Sequence, residues 1–218
     1  FVYRTKTVPT GTKTPVVIII HGGPEGQSRP DWSPTPSAFA DLLGATVIVP
    51  NVRGSTGYGT RYLNLDKAEK REDSVKDIGA LIDWIKAQPD LDGARIAVYG
   101  GSYGGYMSLA VMTKYSDKLA GGVDLFGIGD WTTFLQNTEA YRRDARRAEY
   151  GDERDPKMKA VFARISPRAN VAGITKPMLI EQGANDPRVP RSESEQMVQA
   201  IRARGIPVSY LLFADEGH

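Results

Sequence analysis

The chain contains no cysteine among its 218 residues and only two histidines. Without cysteine there is no disulfide framework, no thiolate zinc site and no cysteine nucleophile. Charge of one sign is not in excess either, because the formal net charge at pH 7 is +2. We therefore expect no nucleic acid and no anionic membrane among its partners. Its apolar runs are short, as in residues 16–20, and none approaches the ~18–20 residues that a membrane span needs.

Short β-branched runs alternate with longer amphipathic stretches along the chain. The strand candidates are continuous in apolar residues, which is typical of parallel strands that are buried on both faces. Helical periodicity is clearest over residues 73–88, before Pro89, and over residues 192–204, before Gly205. This alternation predicts an α/β protein with a doubly wound, mostly parallel sheet flanked by helices. The predicted strands are residues 16–20, 46–49, 95–99, 121–126, 177–182 and 208–213.

Residues 130–165 interrupt the alternation, because they are too many for one crossover helix. Their arginine-rich run, residues 142–147, is interpreted as the solvated basic face of a helix. An insertion above the carboxyl edge of a sheet is where a substrate pocket is walled. The aromatic residues Trp131, Phe134 and Tyr141 are therefore candidate substrate-binding residues.

The strongest motif for chemistry is GGSYGG at residues 100–105. It follows a predicted strand and opens a predicted helix, which is the context that G-x-S-x-G requires in an α/β-hydrolase fold. The turn is so tight that side chains two residues before or after the serine would strike the neighbouring strand or helix. Ser102 is therefore the candidate nucleophile, and the helix N-terminus adds positive potential beneath its hydroxyl.

The same glycine-rich turn has two other interpretations. It could be a close-packed turn without chemistry. It could also be a dinucleotide site, since Gly100, Ser102 and Gly105 nearly match G-x-G-x-x-G and Asp124 lies about 20 residues further on. The middle glycine of that motif lets the backbone approach a pyrophosphate, and a serine stands in its place. We expect no cofactor.

The base and the acid follow from the order of residues. In α/β-hydrolases the histidine comes after the serine and the acid, so His218 is the base by elimination and His21 is interpreted as a structural support of its loop. The acid should follow the strand before that of the histidine. Asp186, in the loop after residues 177–182, is the preferred choice, because Asp215 is too close to the histidine along the chain.

An oxyanion hole needs two converging N–H groups. One candidate is the amide of Tyr103, directly after the nucleophile. The other is Gly23, in the loop after residues 16–20, where related esterases carry such a donor. Metal chemistry has no support, because the sequence has neither H-E-x-x-H nor a cluster of cysteine and histidine.

Five motifs are spread over almost the whole chain: HGGP at 21–24, NVRGSTGYG at 51–59, GSYGGYM at 101–107, NDPRVP at 185–190 and EGH at 216–218. With these motifs the chain resembles, almost from end to end, the catalytic domain of the prolyl oligopeptidase family of serine peptidases. The resemblance implies the same Ser–Asp–His triad, and it implies that Arg188 contacts a backbone carbonyl of a bound peptide near the cleavage site. Some branches have a tyrosine where His21 stands, so the acylaminoacyl-peptidase and oligopeptidase branch is favoured, with Gly23 as the second donor.

Members of that family carry a β-propeller before this region and a final helix after the histidine. We expect residues 1–218 to be one catalytic domain that lacks both, with the propeller in the full-length protein. Homo-oligomerisation stays open. A cytoplasmic location is expected, with a periplasmic or a secreted one as alternatives.

The expected function is hydrolysis of short peptides through an acyl-enzyme. Two alternatives stay open. A carboxylesterase or lipase would share the chemistry, because both reactions pass through a tetrahedral oxyanion. A non-catalytic fragment or binding module could keep the fold without the activity.

Overall fold

The computed structural model describes residues 1–5, 8–9 and 11–218, and its centre is a seven-stranded sheet. The strand order is β1-β3-β2-β4-β5-β6-β7, with β1 antiparallel to β3 and every other pair parallel. The strands are β1 (Val2–Tyr3), β2 (Thr14–Ile20), β3 (Thr46–Ile48), β4 (Leu91–Gly101), β5 (Gly121–Leu125), β6 (Met178–Gly183) and β7 (Val208–Phe213).

The predicted α/β architecture is confirmed, and each of the six predicted strands is present. The predicted strand over residues 95–99 is the centre of a longer one, β4, which begins at Leu91. The antiparallel strand β1 was not predicted, because two residues are too few to make an apolar run.

Eight helices connect the strands within the described residues. The predicted helix over residues 73–88 is α3, and the one over 192–204 is α8. The inserted segment after β5 forms three helices, α5 to α7, so it is a small helical layer. The helices are α1 (Pro34–Leu43), α2 (Thr60–Leu63), α3 (Glu72–Ala87), α4 (Tyr103–Tyr115), α5 (Trp131–Asn137), α6 (Ala140–Tyr150), α7 (Pro156–Ile165) and α8 (Arg191–Arg202).

The core lies between the sheet and the helices on both of its faces. On β2 the side chains of Val16 and Ile18 are fully buried, and α3 buries Val75, Ile78 and Ile82 against the sheet. Helix α4 is buried along ten consecutive residues, so its N-terminus is held firmly at the carboxyl edge of the sheet. Among the residues described, none of the helices has the length and apolarity to cross a bilayer.

Candidate active site

Ser102 stands at a sharp turn between β4 and α4. Its backbone has φ 58° and ψ −120°, a conformation that costs a non-glycine residue on the order of 1–3 kcal/mol. A Cβ at Gly100 would lie 2.2 Å from the carbonyl oxygen of Gly104, and one at Gly104 would lie 2.2 Å from that of Ile20. Glycine is therefore required on both sides of the serine, as the motif predicts.

The hydroxyl of Ser102 is one end of a continuous hydrogen-bonded chain. Its Oγ lies 2.9 Å from Nε2 of His218. Nδ1 of the same ring lies 2.7 Å from Oδ2 of Asp186. The carboxylate accepts from Nδ1–H, which leaves Nε2 free to accept the hydroxyl proton. The structure thus brings together three residues that are far apart in the sequence.

Asp186 is held as an anion by its surroundings. Its side chain is buried, and burial by itself would raise the pKa of this carboxyl. The hydrogen bond from His218 and those from the backbone amides of Val189 and Arg188 outweigh burial, so the pKa is lowered overall. The two amides lie 3.0 and 2.7 Å from Oδ1. The loop after β6 therefore fixes the orientation of the carboxylate independently of the histidine.

The two candidate oxyanion donors, Tyr103 and Gly23, come from different elements. Tyr103 is the first residue of α4, so its N–H has no acceptor within the helix. Gly23 lies in the loop after β2 and lines the same cavity as Ser102. Its φ is 132°, and a Cβ there would lie 2.6 Å from the amide nitrogen of Glu25. Only glycine fits this turn, which is the place predicted for an oxyanion donor.

His21 has no hydrogen bond to the serine. Its Nδ1 donates to the carbonyl of Gly22 at 2.8 Å, and its Nε2 lies 2.8 Å from Oγ of Ser55. Burial lowers the pKa of its ring. The residue thus joins the loop after β2 to the loop after β3, in keeping with its interpretation as a structural histidine.

The helical layer covers one side of Ser102 and forms a narrow pocket. The pocket has an apolar wall of Ile128, Phe134, Tyr150 and Val189. Arg188, which the family resemblance implies to be a peptide-binding residue, also lines this pocket and is exposed. The predicted substrate-binding aromatics are thus divided, and only Phe134 borders this pocket.

The other two predicted aromatics have different surroundings. Tyr141 is 75% exposed and lines a larger adjoining cavity of ≈ 690 Å³. Trp131 is fully buried and packs behind the pocket, with its ring 4.6 Å from that of Tyr106 and 4.5 Å from that of Tyr150. It supports the wall and does not line it, because the first turn of α5 directs it toward the core.

A profile of the prolyl oligopeptidase family matches residues 32–218. This chain belongs to the prolyl oligopeptidase family of serine peptidases. It is 37% identical to dipeptidyl aminopeptidase BIII of Pseudoxanthomonas mexicana, over 94% of this chain and 30% of that protein. It is 29% identical to the acylamino-acid-releasing enzyme of Arabidopsis thaliana, over 100% of this chain and 29% of that protein.

A solved structure shares the architecture of this prolyl oligopeptidase domain. A puromycin-hydrolyzing peptidase of Mycobacterium tuberculosis superimposes with a TM-score of 0.87 at 30% identity, over 100% of this chain and 33% of that one. The chain spans about 30% of the length of the curated relatives that it matches.

This member of the prolyl oligopeptidase family also has charged residues in the cleft that the sequence interpretation missed. Arg142 and Arg146 lie one turn apart on α6, and both line the pocket that contains Ser102. They were interpreted as part of a solvated basic face. A spacing of four residues places two side chains on one face of a helix, and this was the signal that could have singled them out.

A second arginine-centred group lies behind the cleft. Arg71 is 1% exposed and pairs with Asp66 at 2.6 Å and with Glu149 at 2.7 Å. Burial alone would lower the pKa of its guanidinium, but Tyr103, Asp66 and Tyr150 raise it overall. Its Nη1 also donates to the Tyr103 hydroxyl at 3.3 Å. The cation therefore stays charged and ties the first residue of α4 to the helical layer.

The same group reaches the loop of Gly23. The guanidinium of Arg71 lies 5.0 Å from the centre of the Tyr150 ring, and the Tyr150 hydroxyl donates to the carbonyl of Gly23 at 3.2 Å. Both candidate oxyanion donors, Tyr103 and Gly23, are thus connected to one buried cation.

Proposed function

We propose that this domain hydrolyses short peptides through an acyl-enzyme on Ser102. The observation that carries the proposal is the hydrogen-bonded chain from the serine Oγ to His218 at 2.9 Å and on to Asp186 at 2.7 Å. Nucleophile, base and orienting acid in this geometry are the elements of serine-based acyl transfer. Membership of the prolyl oligopeptidase family supports the same chemistry.

In the proposed mechanism, Ser102 Oγ attacks the scissile carbonyl while its proton passes to Nε2 of His218. The N–H groups of Gly23 and Tyr103 stabilise the tetrahedral oxyanion. The imidazolium, held by Asp186, then gives its proton to the leaving amine as the C–N bond breaks. Water, deprotonated by the same imidazole, hydrolyses the acyl ester and restores the serine hydroxyl.

Peptides are favoured over simple esters as the substrates. Arg188 is exposed at the rim of the pocket that contains Ser102, and a guanidinium there can donate to a backbone carbonyl next to the scissile bond. The names of two relatives, a dipeptidyl aminopeptidase and an acylamino-acid-releasing enzyme, also describe peptidases. We further propose that the β-propeller implied by the resemblance belongs to the full-length protein.

A fluorophosphonate probe tests the nucleophile. We expect the probe to label Ser102. We also expect the Asp186→Asn variant to lose on the order of 10⁴-fold in kcat, because the imidazole would take the wrong tautomer. Asp215→Asn is the matched control and should stay near the wild-type rate. Labelling of a different residue, or a large loss in the control alone, would contradict the assignment.

Arg188→Ala separates a peptidase from an esterase. A hydrogen bond from a charged donor is worth about 1.5–3 kcal/mol, so kcat/KM for di- and tripeptides should fall roughly 10- to 150-fold. A small p-nitrophenyl ester lacks the extra carbonyl and should change by less than about threefold. Equal losses on both substrates would favour a carboxylesterase instead.

A further inference from the structure

Helix α6 places two arginines at the cleft that form no ion pair with any described residue. Arg142 and Arg146 line both the pocket at Ser102 and the adjoining cavity of ≈ 690 Å³. Within residues 1–5, 8–9 and 11–218, neither has a carboxylate oxygen within 4.0 Å. By contrast, Arg147 on the same helix pairs with Glu153 at 2.5 Å. The two cleft arginines are therefore positioned but unneutralised.

The nearest acids of the cleft are already engaged. Glu149 accepts from Arg71 at 2.7 Å, and both Glu149 and Glu25 lie 3.5 Å from the ammonium of Lys67. The two cavities are lined by four cationic side chains, those of Lys67, Arg142, Arg146 and Arg188, against these two carboxylates. The field beside Ser102 is consequently positive, which favours an anionic group in a bound ligand over an ammonium group.

The wall around the two arginines strengthens this preference. Ile128, Phe134 and Val189 form an apolar surface next to them. Charges that are partly removed from water by such a surface are stabilised when they gain a hydrogen-bonded partner of opposite sign. Arg142 and Arg146 present two planar guanidinium groups, which match the geometry of a carboxylate.

We propose that Arg142 and Arg146 bind the side-chain carboxylate of an aspartate or glutamate in the residue that precedes the scissile bond. The proposal rests on the function proposed above. A peptide whose carbonyl carbon lies at Ser102 Oγ, with its oxygen toward Gly23, has that residue's side chain nearest to this pocket. The pocket beside the serine is narrow, and it adjoins the cavity of ≈ 690 Å³ that Arg142 and Arg146 also line. A short acidic chain reaches the guanidinium groups where the two cavities adjoin.

Peptides that differ only in charge test this specificity. Matched substrates with Glu or Gln, and Asp or Asn, before the scissile bond are compared by kcat/KM. We expect the acidic member of each pair to be preferred by at least about tenfold, the gain of one charge-assisted hydrogen bond. The preference should shrink as salt is added, because the pair is partly exposed.

Variants on α6 assign the effect to particular residues. The Arg142→Met and Arg146→Met double variant should bring the Glu/Gln ratio down to about 1. Arg143→Met is the matched control, because it removes the same charge from the same helix at a side chain that donates to the carbonyl of Thr138 instead of lining the pocket. Its ratio should stay within about threefold of the wild type, because Arg143 lines neither of the two cavities.

Binding to a Ser102→Ala variant gives a readout that does not depend on turnover. The dipeptides Ala-Glu and Ala-Gln are compared by calorimetry, and the acidic one should bind at least about tenfold more tightly. Equal binding, or a preference that survives in the double arginine variant, would overturn the proposal. Turnover of neutral peptides without an acidic preference would do the same and leave the peptidase function standing. Absence of labelling and of all peptide turnover would refute the peptidase function, while the binding comparison would still decide the acidic pocket.

Discussion

Two arginines lie close to the ring of Tyr150, but they differ in burial and in ion pairing. Arg71, at 5.0 Å from the ring centre, is buried and forms ion pairs with Asp66 and Glu149. Arg146, at 5.8 Å from the same ring, lines the cleft and has no carboxylate partner among the described residues. One cation is part of the interior, and the other is available to a ligand.

The difference shows that the surroundings of a cation decide whether it needs a partner within the protein. A buried cation must be neutralised inside the protein, because an unpaired one costs several kcal/mol. A cation at the edge of a cleft keeps part of its hydration shell. It can therefore remain without an ion pair until a bound substrate supplies an anionic group. Tyr150 separates the two environments, and its hydroxyl holds the Gly23 carbonyl at 3.2 Å.

Removal of the buried cation should have the largest effect. Arg71→Met leaves Asp66 and Glu149 without their principal partner, and breaking a buried pair costs about 3–5 kcal/mol. Urea unfolding should report a loss of this size in the free energy of unfolding. Arg146→Met is the matched control and should change it by less than about 0.5 kcal/mol, because the change breaks no ion pair within the described residues. Similar losses in both variants would erase the distinction between the two arginines.

A buried carboxyl group on β5 extends the comparison of buried and solvated groups. Asp124 on β5 is fully buried, and neither of its carboxylate oxygens accepts a hydrogen bond of good geometry among the described residues. Burial raises its pKa to about 7 and outweighs the opposing effect of the backbone amide of Gly127. An acid with a raised pKa destabilises the fold once pH exceeds its unfolded pKa, and the penalty is complete above the folded value. Stability attributable to this residue should therefore fall as pH rises from about 4 to 7.

Asp124→Asn removes that penalty. The variant should gain stability relative to the wild type at pH 8, and the gain should exceed that at pH 5 by on the order of 2 kcal/mol. Thermal or urea unfolding at the two pH values measures the difference. A gain that does not vary with pH would mean that the buried carboxyl titrates as an ordinary one.

The smallest expected effect concerns the residue between the two arginines. Tyr150→Phe removes the hydrogen bond to the carbonyl of Gly23, which is worth about 0.5–1.5 kcal/mol. If this bond positions the oxyanion loop, kcat should fall by roughly 2- to 10-fold while KM stays nearly constant. Steady-state kinetics on a short peptide checks the split. A lower stability with an unchanged kcat would assign the hydroxyl to packing alone.

Much of the architecture could be predicted from the sequence because local patterns determine it. Continuous β-branched runs mark the parallel strands, and the glycines on both sides of Ser102 mark a turn that admits no side chain. Chain order selects His218 and Asp186, and the structure has them in hydrogen-bond contact at 2.7 Å. Their catalytic roles remain a prediction until activity is measured.

The lining of the pocket could not be predicted in the same way. Helix α6 buries only Glu149 and Tyr150, so it has no apolar stripe from which its orientation could be inferred. Whether an arginine on such a helix faces water or the cleft depends on tertiary packing with α5. Trp131 is the opposite case. It was a candidate for lining the pocket but is fully buried, because an aromatic residue in an inserted segment can equally well form the core of that segment.

The strained backbone of Ser102 has a consequence for the evolution of the domain. A residue held at φ 58° and ψ −120° would be relieved by glycine, which adopts positive φ at little cost. The mutation that most easily stabilises this turn is therefore also one that deletes the hydroxyl. Selection for stability and selection for activity oppose each other at this one position, so a lineage that no longer needs the activity should drift toward glycine there.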